Sequence, residues 1–313
     1  MVVHLAKGIT KNLVINIMIF RKELLYFSGV SGLVYSLFQL GFKWVDLPIL
    51  PIAMLGTALS ILLGFRNGSA YDRWWEARKI WGGIINMSRT LAVQIETYSD
   101  DQNLIKSTYY RHFAYIHALR LNLRGQMSEV EKSISKYIST REWNGIENSA
   151  NIPTQILRNQ SLAFKQATKD GIINSDFKLF ELMGSIKELY DLQGKAERIK
   201  KTPFPKYYEL YVNVFFYAFI TLFPFSLVGK FGELSHNIGS NITWLIIPVT
   251  ILVGFVYAAI DKSGSETEDP FENKISDTPM TAICIVIERD LRQMLGETEI
   301  PENLSPNEIG VIM

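Results

Sequence analysis

Four stretches of this chain run without charge for about the depth of a bilayer, and a long charged block separates the second from the third. Leu24–Phe42, Leu47–Phe65, Leu210–Gly229 and Ile242–Ile260 each lack Asp, Glu, Lys and Arg throughout. A helix needs about 20 mostly apolar residues to cross the hydrocarbon core, so the pattern predicts four membrane helices. Pro48 and Pro51 stand where a helix starts. Trp244 and Tyr257 lie near the two ends of the fourth run, the position of interfacial aromatics. The links within each pair are short: Lys43 to Asp46 in the first, and the segment carrying Lys230, Glu233 and His236 in the second. The first two runs therefore form an antiparallel hairpin.

The block between the hairpins, roughly Gly82 to Lys206, reads as helical. Ile84, Met87, Leu91 and Ile95 recur at helical spacing, as do Leu179, Leu182, Met183, Ile186 and Leu189. Loop signals fall at Ser99–Asn103 and at Asn148–Pro153, and Pro203 and Pro205 mark the approach to the third run. No internal repeat or low-complexity tract is present. The division that follows is 1–81 for the N-terminal segment and first two spans, 82–206 for the helical block, 207–261 for the last two spans, and 262–313 for the tail. The fold class expected is an all-α membrane protein.

Basic residues flank the hairpins on one side. Lys7, Lys11, Arg21 and Lys22 precede the first run; Arg66, Arg73, Arg78 and Lys79 follow the second; Lys195, Arg198, Lys200, Lys201 and Lys206 precede the third. By the positive-inside rule both termini and the middle block are cytoplasmic. A formal charge of +1 lacks the basic excess of a nucleic-acid binder. Cys284 is the only cysteine, which excludes an intrachain disulfide and a cysteine-cluster metal site. No phosphate-binding loop, dinucleotide fingerprint, zinc-protease motif or nucleophile elbow occurs. His112 and His117 are five apart and do not share a helix face. No enzyme, cofactor or metal site is expected.

The second run passes without a break into Arg66-Asn67-Gly68-Ser69-Ala70-Tyr71-Asp72-Arg73-Trp74-Trp75-Glu76-Ala77-Arg78-Lys79. A span normally ends in a turn, whereas this one continues as one helix. Along it Thr57, Ile61, Phe65, Ser69, Asp72 and Glu76 form one stripe, small or apolar first and acidic later. Two readings stand: Ile61 and Phe65 pack against a neighbouring helix, or they form a hydrophobic constriction for ions. The second requires a symmetric oligomer, because one chain has too few helices to close a pore. The crowding of Arg73, Trp74, Trp75, Arg78, Lys79 and Trp81 favours subunit packing over an interfacial belt.

Leu63-Gly64-Phe65-Arg66-Asn67-Gly68-Ser69-Ala70-Tyr71-Asp72-Arg73-Trp74-Trp75-Glu76-Ala77-Arg78-Lys79-Ile80-Trp81-Gly82 resembles the signature of the bestrophin family in its bacterial form. Gln193 to Pro205 resembles that family's entry to the third span. Glu268-Asp269-Pro270-Phe271, Asp277 to Met280 and Cys284 to Leu291 resemble its C-terminal segment. The likeness covers nearly the whole chain, in order. It implies a homopentameric ion channel of the bacterial inner membrane, with a central pore lined by the second span, a neck at Thr57, Ile61 and Phe65, and membrane lipids as surroundings. It also implies a second, cytoplasmic constriction near Phe177, with Ile173 or Leu179 as neighbouring registers.

Two departures from the animal members change the expectation. Those carry more aromatics at the neck and conduct anions; Ile61 lacks the positive ring edge that faces an anion, and Asp72 and Glu76 favour cations. Monovalent cations, sodium foremost, are therefore expected, with an anion (chloride) channel as the alternative. A run of acids after Pro270-Phe271 holds calcium in the animal members. Here Lys274 and Ile275 interrupt it, so Glu266, Glu268, Asp269 and Glu272 are expected as a solvated turn or in salt bridges, without calcium gating. The rival classes are a secondary transporter, whose inverted repeats are missing, and a non-conducting membrane scaffold.

Overall fold

The computed structural model describes residues 18–304, and these form helices, turns and loops with no strand. Lys7 and Lys11 lie outside the described residues. The helices are α1 (Arg21–Gln39), α2 (Ile49–Tyr98), α3 (Gln102–Arg124), α4 (Val130–Ile134), α5 (Thr140–Ile146), α6 (Ile152–Lys169), α7 (Asp176–Lys201), α8 (Lys206–Ile238), α9 (Ile246–Thr267) and α10 (Met280–Met294). Short 3₁₀ turns at Lys43–Val45, Met127–Glu129 and Thr243–Leu245 join some of them.

Two compact units emerge. One, the span unit, holds the described residues up to 72 together with 204–268; the other, the bundle unit, holds 73–203 and the described residues from 269. The uninterrupted helix α2 contributes to both, as its unbroken sequence predicts.

In the span unit α1 lies along α9, and α8 packs against both. The core gathers Phe20, Phe27, Ile52, Leu59, Leu63, Val212, Phe216, Phe219 and Ile220. Gly254 is what lets α9 approach α1: a methyl group there would fall 2.6 Å from Cδ2 of Phe27. Among the described residues, three helices with their leading turns are long and apolar enough to cross a membrane, covering Lys43–Tyr98, Lys206–Ile238 and Thr243–Thr267. The run expected as the first span, realised as α1, is not among them. Its apolar residues are diluted by Ser28, Gly29, Ser31, Gly32 and Ser36, and it opens on Arg21, Lys22 and Glu23. Ser28, Ser31 and Ser36 each turn their hydroxyl back onto the carbonyl four residues earlier, at 2.7–2.8 Å. Such back-bonding satisfies a hydroxyl where water is scarce.

The bundle unit is built around α3, which packs against α4, α6, α7 and α10. The loop signals in the sequence are helix boundaries. Asp101 caps α3 by accepting from the Leu104 N–H at 2.7 Å, and Asn151 caps α6 by accepting from Thr154 at 3.1 Å. The helical-spacing positions Ile84, Leu91, Ile95, Leu182, Ile186 and Leu189 are buried in one core. Met183 is the exception: it is exposed, because on α7 it stands off the stripe defined by Leu182, Ile186 and Leu189.

Candidate functional site

Helix α2 presents two opposite faces in the span unit. Ile52, Leu59 and Leu63 are buried in the core. Thr57, Ile61 and Phe65 occupy another face and are exposed, Ile61 to 55% and Phe65 to 67%. The periodicity that sends Leu59 and Leu63 inward therefore leaves the stripe singled out from the sequence unburied. Thr57 spends its hydroxyl proton on the Ala53 carbonyl, 3.0 Å away, so it offers outward a methyl group and oxygen lone pairs.

Directly after Phe65 the chain buries a full charge. Arg66 is 2% exposed, its Nη1 donates to Asp261 at 2.7 Å, and its Nε and Nη2 donate to Glu268 at 3.3 and 3.1 Å. Asn67 beside it donates to the Ile260 carbonyl at 3.0 Å. A guanidinium suits this task because it stays charged and holds two carboxylates in a fixed fork. These contacts tie the lower end of the Thr57–Phe65 face to α9. The motif contains Arg66, but nothing in its spacing announces that the charge is internal.

Farther along α2 the sequence stripe splits. Asp72 is exposed, whereas Glu76 is partly buried and pairs with Lys79 at 2.6 Å. The crowd of cationic and aromatic residues expected at a subunit interface is largely used within the bundle unit. Arg73 caps the end of α7 by donating to the Thr202 and Ile199 carbonyls at 2.6 and 3.1 Å, and also reaches Asp269. Trp74 donates to the Ser276 carbonyl at 2.8 Å, and Trp81 is fully buried in the core. Trp75 remains about half exposed. Three of the six residues in that crowd thus find places within the chain, Arg73 and Trp74 on carbonyls and Trp81 in the core, while Trp75 and Lys79 stay exposed.

At the start of α7 the three candidate registers for the second constriction separate. Phe177 is 87% exposed, Leu179 packs against the bundle core, and Ile173 is 1% exposed. Phe180, one turn on, is exposed like Phe177.

The acidic residues near the end of α9 all have cationic partners. Glu266 pairs with Lys262 at 2.9 Å and Glu268 with Arg66; in the bundle unit Asp269 pairs with Arg73 and Glu272 with Lys200. Among the described residues no group of three or more His, Cys, Asp or Glu side chains is placed to hold a metal ion.

His112 and His117 are held inside the bundle. His112 bonds Ser88 at 2.7 Å inside the bundle, where burial pushes its imidazole down to about 4. His117 stacks on Tyr137 and bonds Glu288 at 3.3 Å; burial lowers its pKa, against the pull of that carboxylate. Burial alone would raise Glu288, but bonds from His117, Tyr137 and Arg292 outweigh it and hold the carboxyl at about 2. This knot fastens α10 to α3. Cys284 is fully buried, and burial pushes its thiol up to about 12, outside the range of a nucleophile.

Comparison with known proteins agrees with this geometry. A family model described as bacterial/fungal bestrophin protein matches residues 8–293. A voltage-dependent anion channel-forming protein of Escherichia coli K12, YneE, is 30% identical over 270 residues, covering 86% of this chain and 83% of that protein. One from a Nostoc species is 30% identical over 283 residues, covering 89% and 86%. A solved bacterial bestrophin homologue from Klebsiella pneumoniae superposes with a TM-score of 0.82 at 27% identity, over 90% of this chain and 100% of the other. The exposed apolar face of α2, the Arg66 anchor behind it and these likenesses converge: the chain belongs to the bacterial and fungal bestrophins, a family of ion channels and not of enzymes.

Proposed function

We propose that this chain forms a passive ion channel by assembling as a homopentamer around the Thr57–Ile61–Phe65 face of α2. The observation that carries the reading is that face itself. Helix α2 buries Leu59 and Leu63 and leaves Ile61 and Phe65 uncovered, and in a family of ion channels such a face lines a pore once further copies close around an axis. In the assembly α1 completes a set of four spans with α2, α8 and α9, and both termini lie on the cytoplasmic side of an inner membrane. Rings of Ile61 and Phe65 form a dehydrating neck that filters by the cost of stripping water from an ion. Phe177 on α7 forms a second, cytoplasmic narrowing.

The permeant ion is an anion in the first reading. It rests on the relatives, which are named anion channel-forming proteins, and on the Phe65 ring edge, which suits negative charge. The cation preference expected from the sequence finds no support in those names. Two observations still favour it as a second reading: Thr57 presents oxygen lone pairs and no proton, and Asp72 is exposed on the same helix. Recording purified protein in planar bilayers under asymmetric sodium chloride separates them. Reversal near the chloride equilibrium potential supports the first and reversal near the sodium potential the second. No current at any potential leaves the scaffold reading and ends the channel reading.

A further inference from the structure

We infer that Tyr257 is a positioning residue that latches the neck segment of α2 and so sets the width of the pore; this rests on the channel reading above. Tyr257 stands on α9, where its sequence position reads as an interfacial aromatic. Its ring instead lies against Phe219, with centroids 5.0 Å apart, and its hydroxyl points to α2. There it meets the Ser60 hydroxyl at 2.9 Å and the Gly56 carbonyl at 3.3 Å. Ser60 in turn donates to the Gly56 carbonyl at 2.9 Å, which closes a three-member polar cluster. A hydroxyl within an apolar span needs such partners, since leaving it bare costs more than a bond is worth.

The anchor points fall directly beside the neck. Gly56 precedes Thr57 and Ser60 precedes Ile61 in the chain, so whatever holds Gly56 and Ser60 fixes the azimuth of both neck side chains. Gly56 is pressed onto Phe219 as well; a methyl group there would fall 2.7 Å from Cε2 of that ring. The backbone of this stretch is also loosened. The Ala53 and Gly56 carbonyls are shared with the hydroxyls of Thr57 and Ser60, a pattern that loosens and bends helices. A cavity of about 320 Å³ opens on this flank, lined by Ala53, Gly56, Thr57, Ser60, Phe223 and Tyr257. The segment that carries the neck thus has a polar catch and, in the single chain, open space on its flank.

Single-channel recording of Tyr257→Phe, Ser60→Ala and their double variant tests the latch. Losing one neutral hydrogen bond, at about 1 kcal/mol, shifts a two-state balance about fivefold. A wider, higher-conducting level is therefore expected to gain about fivefold in occupancy in each single variant. The double variant should add nothing further, because both changes break one cluster. Ser60→Thr, which keeps the hydroxyl, should record like the parent. A purely structural role would lower the melting temperature without moving the conductance levels. Single-variant records indistinguishable from the parent, additive effects in the double variant, or Ser60→Thr behaving like Ser60→Ala overturn the latch while the channel reading stands. A parent protein that passes no current overturns both.

Discussion

The two faces of α2 make a prediction that separates packing from conduction within five residues. Leu63 is 1% exposed, whereas Ile61 and Phe65 have 55% and 67% of their surface uncovered in the single chain. In soluble cores Leu→Ala costs about 2–5 kcal/mol. In a membrane the lipid is as apolar as the leucine, so mainly the packing share counts, and Leu63→Ala should sit at about 2 kcal/mol. Ile61 and Phe65 pack with less than half of their surface, so Ile61→Ala and Phe65→Ala should each cost about 1 kcal/mol or less by the same scaling. In the proposed pore their effect is on conduction: shortening either ring of side chains should widen the neck, lower the dehydration barrier and raise unitary conductance. The assay pairs thermal melting in detergent with single-channel recording of the three variants. Leu63→Ala should melt several degrees lower with its unitary conductance kept, while the other two melt near the parent and conduct more. Unchanged conductance in both Ile61→Ala and Phe65→Ala would remove the neck assignment. Destabilisation equal to that of Leu63→Ala would mean that these side chains are packed, not open.

Two further outcomes follow from buried ionisable groups. Arg66→Met removes the guanidinium that Asp261 and Glu268 share and should cost about 3 kcal/mol, mostly recovered when Asp261→Asn and Glu268→Gln are added; melting curves in which Arg66→Met matches the parent would sink the internal ion pair. His112 must stay neutral inside the bundle: its folded pKa, about 4, lies below the ordinary 6.5, so the stability it contributes is complete above pH 6.5 and is lost as pH falls toward 4. That loss amounts to about 3 kcal/mol, and His112→Gln should flatten this part of the melting-temperature profile against pH, with an unchanged slope counting against the assignment.

Periodicity made much of this chain legible and was silent on the rest for physical reasons. The uncharged runs reveal α2, α8 and α9, and the stripe from Thr57 to Phe65 reveals a face, because burial and helical spacing act on every residue alike. The weak first run shows the limit of the same signal. Serine and glycine lower the hydropathy of α1, but its three serines satisfy their hydroxyls within the helix, which a count of apolar residues does not register. The Arg–Trp crowd was legible only in part. Composition marks Arg73, Trp74 and Trp81 as interface residues, whereas their partners are the end of α7, the Ser276 carbonyl and the bundle core, all of them far away in sequence.

Tyr257 shows what hydropathy patterns leave out and how it can be regained. On any hydropathy scale it is one more residue of a membrane run, and its place near the end of that run makes the interfacial role the natural one. Yet a phenol that does not reach the interface must find an acceptor within the span, and helix backbones offer few, since their carbonyls are engaged four residues on. The carbonyls most open to a second bond are those beside small residues, where a neighbouring helix can come close. Gly56 is such a position: it has no side chain to fend off Phe219, and its carbonyl accepts from both Ser60 and Tyr257. A glycine followed four residues later by serine, on the helix that carries the proposed neck, is therefore a sequence-level pointer to a helix contact. The tyrosine that answers it lies on another span because only a long side chain with a polar tip can bridge that distance.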